Sequence, residues 1–175
     1  HENLFMSINI SGRQFYDQMF FDDLQSAVKQ ADVESRQVKL EVTERVMMEG
    51  PTAIHAISKC RELGFPIALD DFGTGYSSLS SLAQFEVDSL KVDQSFVRRM
   101  MKDRRSMVIT KNIVKLAKGL GLKVIAEGIE TEEDYAVLQE MGCDFGQGYL
   151  MAKPVPYDQA ISYLSGETSD KKSSK

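Results

Sequence analysis

Acidic and amide side chains recur at the ends of short apolar runs along the 175-residue chain. Asn9 stands near the end of the first run, and Glu41 and Glu44 lie in and just after the second. Asp70 and Asp71 close the third, Lys91 and Asp93 the fourth and Glu127 the fifth, and Gln147 lies in the last. Carboxylates withdrawn from water are costly unless they are solvated, paired with cations or bound to metal. Several acids set against one lysine leave an excess of negative charge, for which a divalent cation is the natural partner. Asn, Asp and Glu oxygens are hard donors suited to magnesium or manganese, and no histidine accompanies them, which argues against zinc. His55, on a predicted helix beside small residues, reads as a partly exposed surface side chain.

The pair Asp70-Asp71 is the most informative local feature. Adjacent strand residues point to opposite faces, so both carboxylates can serve one site only if the backbone bends there. The following Gly73-Thr74-Gly75 permits such a bend. One carboxylate could then bridge two ions while the other holds one of them. Two ions about 4 Å apart activate a water and stabilise charge developing on a phosphoryl oxygen. A simpler alternative stands beside this one: Asp71 as the N-cap of a helix beginning after Tyr76. Lys91 likewise admits a plain salt bridge.

The elements that must position these groups follow from hydrophobic periodicity. Short apolar runs predict strands over Leu4 to Ile10, Val38 to Thr43, Pro66 to Asp71, Ser89 to Asp93, Lys123 to Glu127 and Phe145 to Leu150. Several are apolar at consecutive positions, as expected for strands covered on both faces. Between them lie helical patterns, one with Ala53, Ala56, Ile57, Cys60 and Leu63 on a face closed by Gly64. A second runs from about Arg105 to Leu120, with Ile109, Ile113, Leu116, Ala117 and Leu120 together. A third begins at Thr131 and Asp134, a variant capping box with Glu132 and Glu133 in the first turn. A last helix spans Tyr157 to Leu164.

Six strand-helix units fit either an open doubly wound sheet or most of an eight-unit barrel. Potential ligands at nearly every strand end favour the barrel, because an open sheet concentrates its chemistry near one switch point. No Gly-x-Gly-x-x-Gly turn follows the first strand. A 42% hydrophobic content over this length supports one domain, residues 1–165, with a disordered polar tail over 166–175. The net charge of −5 argues against a duplex nucleic-acid surface. Cys60 and Cys143 lack metal-ligand spacing and read as free thiols of a reducing compartment, and no apolar run is long enough to span a bilayer. A cytoplasmic location is expected.

Six strings occur in order: Ser7-Ile8-Asn9-Ile10-Ser11, Leu40-Glu41-Val42-Thr43-Glu44, Asp70-Asp71-Phe72-Gly73-Thr74-Gly75-Tyr76-Ser77-Ser78-Leu79, Leu90-Lys91-Val92-Asp93, Glu127-Gly128-Ile129-Glu130-Thr131 and Gln147-Gly148-Tyr149. Together they closely resemble the EAL domain family of bacterial cyclic di-GMP phosphodiesterases, from the first residues to about Leu164. The resemblance implies a modified TIM-like (β/α) barrel, here about six of its eight units, and metal-dependent hydrolysis of cyclic di-GMP to linear pGpG with two Mg2+ or Mn2+ ions. It implies that Asn9, Glu41, Asp70 and Asp71 bind metal, with Asp70 bridging. It implies that Lys91 orients or stabilises the attacking water, that Glu127 belongs to the catalytic centre and that Gln147 stands beside the metal and water network. Glu44 resembles the glutamate that holds the following loop, and Phe72, Gly73, Thr74 and Gly75 open a regulatory loop that couples dimer contacts to the site. Asp93 and Glu130 are supportive.

One departure matters. The family's Glu-Ala-Leu string, whose glutamate binds metal, belongs on a strand before the one carrying Asn9, and position 1 lies eight residues before Asn9. A whole barrel takes ~250 residues. The expectation is therefore that the first two strands fall outside these residues, that the 175-residue chain alone is inactive, and that its exposed edges favour dimerisation, swapping or poor solubility. A homodimer, with sensory or diguanylate cyclase domains upstream and possible tethering of the parent protein to a membrane, is implied by the family. Two other readings stand beside the enzyme: a cyclic di-GMP receptor that binds without cleaving, and a barrel hydrolase acting on another phosphodiester.

Overall fold

Side chains alternate between the two faces of a strand, and the central strands of this chain use that alternation to separate an apolar layer from a charged one. The computed structural model describes residues 4–17, 19–75, 82 and 84–165. Its strands are β1 (Met6–Ile10), β2 (Val38–Thr43), β3 (Ile67–Phe72), β4 (Ser89–Val92), β5 (Lys123–Glu127) and β6 (Phe145–Gln147). All are parallel and pair in chain order. On one face Leu40, Val42, Ile67, Leu69, Leu90, Val92, Val124 and Ala126 are wholly buried. On the other stand Lys39, Glu41, Asp70, Ser89 and Lys91, also buried but polar. The consecutive buried positions expected of a doubly covered sheet are thus present, with one of the two covered faces charged.

Helices pack over the apolar face, except the last, which buries none of its residues. Helix α1 is Gly12–Phe15, α2 Phe20–Gln30, α3 Glu44–Met47, α4 Pro51–Glu62, α5 Gln94–Met100, α6 Arg104–Gly119, α7 Glu132–Met141 and α8 Tyr157–Ser165. Helix α4 starts with Pro51 at its first turn, buries Ala53, Ala56, Ile57 and Cys60, and is followed by Gly64 at φ +85°. Helix α7 has the expected capping box between Thr131 and Asp134. Helix α6 departs from its expected face: Ser106, Thr110, Ile113, Val114 and Ala117 are buried, while Ile109 and Leu120 are exposed. The 3.6-residue period is right, but the contact stripe is rotated toward the shorter side chains Ser106, Thr110, Val114 and Ala117, which let the helix lie close to the sheet.

The sheet curls. Phe5, just before β1, and Phe145, which starts β6, meet edge to face with ring centroids 6.0 Å apart. The Lys39 ammonium sits 4.3 Å from the Phe5 centroid and 5.5 Å from that of Phe145. First and last strands therefore approach at their N-terminal ends, giving a curled, TIM-like half-barrel. Burial lowers the Lys39 pKa, against the opposing pull of Glu41 and Asp88.

Among the described residues no helix is long and apolar enough to cross a membrane. Both cysteines are free, and burial pushes the Cys60 thiol up to about 12 and that of Cys143 to about 11. His55 is exposed on α4. The helix expected after Tyr76, the rest of the loop to Leu79 and the polar tail over 166–175 lie outside the described residues.

Candidate functional site

Four strands deliver one charged side chain each to the same C-terminal rim. Lys91 Nζ of β4 lies 2.5 Å from Glu41 Oε2 of β2, 2.9 Å from Asp70 Oδ1 of β3 and 2.7 Å from Glu127 Oε1 of β5. The lysine side chain is 4% exposed, so these pairs form in a medium where charge is poorly screened. Burial alone would lower the Lys91 pKa. Hydrogen bonds to Glu127, Glu41 and Asp70 overturn that and hold it above the ordinary lysine value. Glu127 moves the other way from a simple ion pair: burial raises its pKa, Asp70 and Glu41 add to the rise, and Lys91 opposes it. One cation shared among three acids leaves net negative charge.

A β-bulge resolves the geometry of Asp70-Asp71. The β3–β4 register passes from Leu69 opposite Leu90 to Phe72 opposite Val92, so β3 carries one extra residue there. Asp71 takes φ +56°, a left-handed conformation rare outside glycine, and its N–H donates to Asp70 Oδ1 at 2.9 Å. The bend thus begins at Asp71 itself and continues through Gly73 at φ +96°. As a result Asp70, Asp71 and Glu127 each offer an oxygen within 4.8 Å of the others. Burial raises the Asp71 pKa, and Asp70, Asp93 and Glu44 raise it further against Lys91. Hard oxygen donors at this spacing with surplus negative charge fit a divalent cation of the magnesium or manganese type.

Glu44, buried at the start of α3, faces the outgoing loop. Its Oε2 accepts from the N–H groups of Gly73 and Gly75, both at 3.1 Å. A Cβ on residue 75 would stand 3.1 Å from that carboxylate, and one on residue 73 only 3.0 Å from the Phe96 ring. Glycine at both positions lets the chain pass this close. Phe72 belongs to β3 and is buried in the core, so the loop proper begins at Gly73.

The sequence matches the EAL domain family over residues 1–154. The chain belongs to the EAL domain family. It is 42% identical over 155 residues to cyclic di-GMP phosphodiesterase PdeR of Escherichia coli K12, covering 88% of this chain and 23% of PdeR. The EAL enzyme Bd1971, solved with cAMP and cyclic di-GMP, superposes with a TM-score of 0.90 at 44% identity, over 93% of this chain and 43% of that one. BlrP1 of Klebsiella pneumoniae, solved as a manganese/cyclic di-GMP complex, gives 0.77 at 32% identity over 83% and 38%. The chain spans about a quarter of the length of the curated relatives it matches.

Within this EAL fold the remaining expected residues take definite places. Asn9 pairs in register with Glu41 and therefore stands beside it on the same face, exposed. Gln147 pairs in register with Glu127. Asp93 is the N-cap of α5, accepting from the Ser95 N–H at 2.9 Å, so it starts the helix while its charge also bears on Asp71. Glu130 pairs with Arg98 at 2.9 Å.

The segments that follow Glu127 and Gln147 are bound to each other. Ile129 N–H donates to the Gln147 carbonyl at 3.1 Å, and Leu150 N–H to the Ile129 carbonyl at 3.0 Å. Gly148 lies so close to the Ile129 backbone that any Cβ would collide with it. A cavity of about 160 Å³ next to Glu127 is lined by Gln94, Arg98, Gly128, Glu130, Gln147 and Tyr149, among others. Sequence reasoning missed Gln94 and Arg98, and quoted Tyr149 in a motif without giving it a role. The spacing of Gln94 and Arg98 on one face of a helix capped by Asp93 is the signal that could have found the first two.

Proposed function

We propose that this protein is a metal-dependent phosphodiesterase that hydrolyses cyclic di-GMP to linear pGpG, with Mg2+ or Mn2+ as cofactor and two ions at the rim. The observation that carries this reading is the gathering of Glu41, Asp70, Asp71 and Glu127 around Lys91 in a chain of the EAL family. Named relatives are cyclic di-GMP phosphodiesterases, and structural neighbours hold cyclic di-GMP with calcium or manganese.

In this proposal Asn9, Glu41, Asp70 and Asp71 hold the ions. When bound, such ions supply a nucleophilic water at neutral pH and offset charge on the phosphoryl oxygens. Lys91 orients that water and offsets developing negative charge from a water-poor position. Glu127, whose pKa is raised, is suited to exchange a proton, and Gln147 beside it donates an amide to the water network. Glu44 fixes the start of the loop through Gly73 and Gly75, and thereby the backbone that aims Asp71. Thr74, whose hydroxyl donates to the Asp71 carbonyl at 2.8 Å, helps set the same turn.

We further propose a cytoplasmic, homodimeric protein with sensory or cyclase domains preceding this one. Chromatography of cyclic di-GMP incubated with the protein and Mn2+ tests the activity, run beside a binding titration. Linear pGpG that vanishes with chelator is expected of the protein with its full barrel. Saturable binding with no product would favour a receptor, and turnover of other phosphodiesters at equal rate would favour a broader hydrolase.

A further inference from the structure

Three acids at the rim point one oxygen each at a single ammonium, and the lysine that bears it is almost fully withdrawn from water. A carboxylate has two oxygens and about four acceptor sites, so contact with Lys91 through one oxygen leaves capacity for a second cation. Resting on the metal-binding reading above, we propose that Lys91 is the counter-ion of the centre in its metal-free state: it holds Glu41, Asp70 and Glu127 together without metal and opposes divalent-ion binding.

The sign of the effect follows from two terms. Without the ammonium, the carboxylates of buried Glu41 and Asp70 and of half-buried Glu127, beside Asp71, lack a cation and repel one another, so the metal-free fold loses stability. A bound divalent ion supplies its own positive charge, so the filled centre suffers less from the same loss. The ammonium also repels that ion directly at short range. Both terms make ion binding tighter when Lys91 is removed. Pre-organisation by Lys91 acts in the opposite sense, but it is the smaller term. The register of β2 on β3 and the bulge at Asp71 already fix the backbones of the ligands.

Thermal unfolding in chelator and in saturating Mn2+, with a Mn2+ titration followed by paramagnetic resonance, compares wild type with Lys91→Met and Lys91→Arg. Lys91→Met is expected to melt roughly 5–10 °C lower in chelator. It should bind Mn2+ roughly tenfold tighter and gain more from it than wild type. Lys91→Arg should return both readouts toward wild type. Should Lys91→Met fail to fold in chelator, adding Glu127→Gln lowers the charge to be balanced and should restore folding; failure to do so overturns the proposal. Unchanged melting of Lys91→Met in chelator, or weaker Mn2+ binding, also overturns it. No Mn2+ binding by wild type overturns the metal reading, a result separate from the chelator comparison.

Discussion

At the N-terminal end of the sheet Asp88 and Asp144 are committed to backbone, whereas at the C-terminal end Glu41, Asp70 and Glu127 converge on a lone lysine. The lower arrangement is repeated. Asp88 Oδ2 accepts from the Ile67 N–H and Asp144 Oδ2 from the Val124 N–H, both at 2.8 Å, and each aspartate N–H returns a bond to the carbonyl of the same residue at 2.9 Å. Asp144 also meets Lys118 at 2.6 Å and Lys123 at 3.1 Å. There donors outnumber acids, and every acid has a structural task. On the upper rim acids outnumber donors, and that surplus marks where a cation belongs. Barrels commonly divide stability and chemistry between their two ends, and the charge balance here expresses the same division.

Replacing Asp70 should break the comparison most severely. Asp70→Ala removes the acid shared between Lys91 and the Asp71-Glu127 cluster, and Mn2+-dependent hydrolysis is expected to fall beyond the roughly 10–100-fold typical of outer metal partners. Steady-state rates with Mn2+ varied check this, and a rate within threefold of wild type contradicts it. Glu44→Ala comes next. Loss of two charged hydrogen bonds should cost about 1.5–3 kcal/mol and loosen the loop at Gly73 and Gly75, read by amide exchange at those positions.

Smaller effects sharpen the contrast. Asp144→Asn should lower stability by about 1–2 kcal/mol, roughly 3–6 °C in melting temperature, while the Mn2+-induced shift stays as in wild type. A changed Mn2+ shift would mean the two ends are coupled. Acid should then separate the rims by sign. Burial would raise the Asp144 carboxyl, but Lys118, the Val124 N–H and Lys123 hold it at about 2, below the ordinary 3.8. Its stabilisation is therefore full above the ordinary carboxylate range and lost as pH falls toward about 2. Glu127 has a raised pKa, so the metal-free fold is penalised as pH rises from the ordinary glutamate value through the raised one. Melting in chelator against pH should show Asp144→Asn flattening the acid limb and Glu127→Gln relieving the neutral one.

Much of this was legible in the residues. Apolar runs located all six strands, and in the central ones burial leaves little else that Leu40, Val42, Leu90 or Val92 could do, although β6 stops at Gln147, short of the Leu150 expected. Polar residues at the strand ends marked the rim for the same reason. The turn at Asp71 was only half visible: the glycines at 73 and 75 announced a bend, but the left-handed Asp71 comes from the bulge against β4. What stayed hidden was pairing across long separations. Lys91 and Glu41 are 50 residues apart, and no local spacing shows that one ammonium will meet three acids. Nothing local marks Asp88 and Asp144, since their partners are backbone groups of strands 20 residues or so upstream. The rotated face of α6 shows the limit of periodicity, which gives a stripe's period more readily than its azimuth.

Anomalous diffraction from crystals of the protein soaked in Mn2+ addresses the central claim most directly. A peak bonded to Asp70 and flanked by Asp71 and Glu127 is the predicted result. Manganese absent from that rim, or bound only at the Asp88 and Asp144 end, would contradict the account.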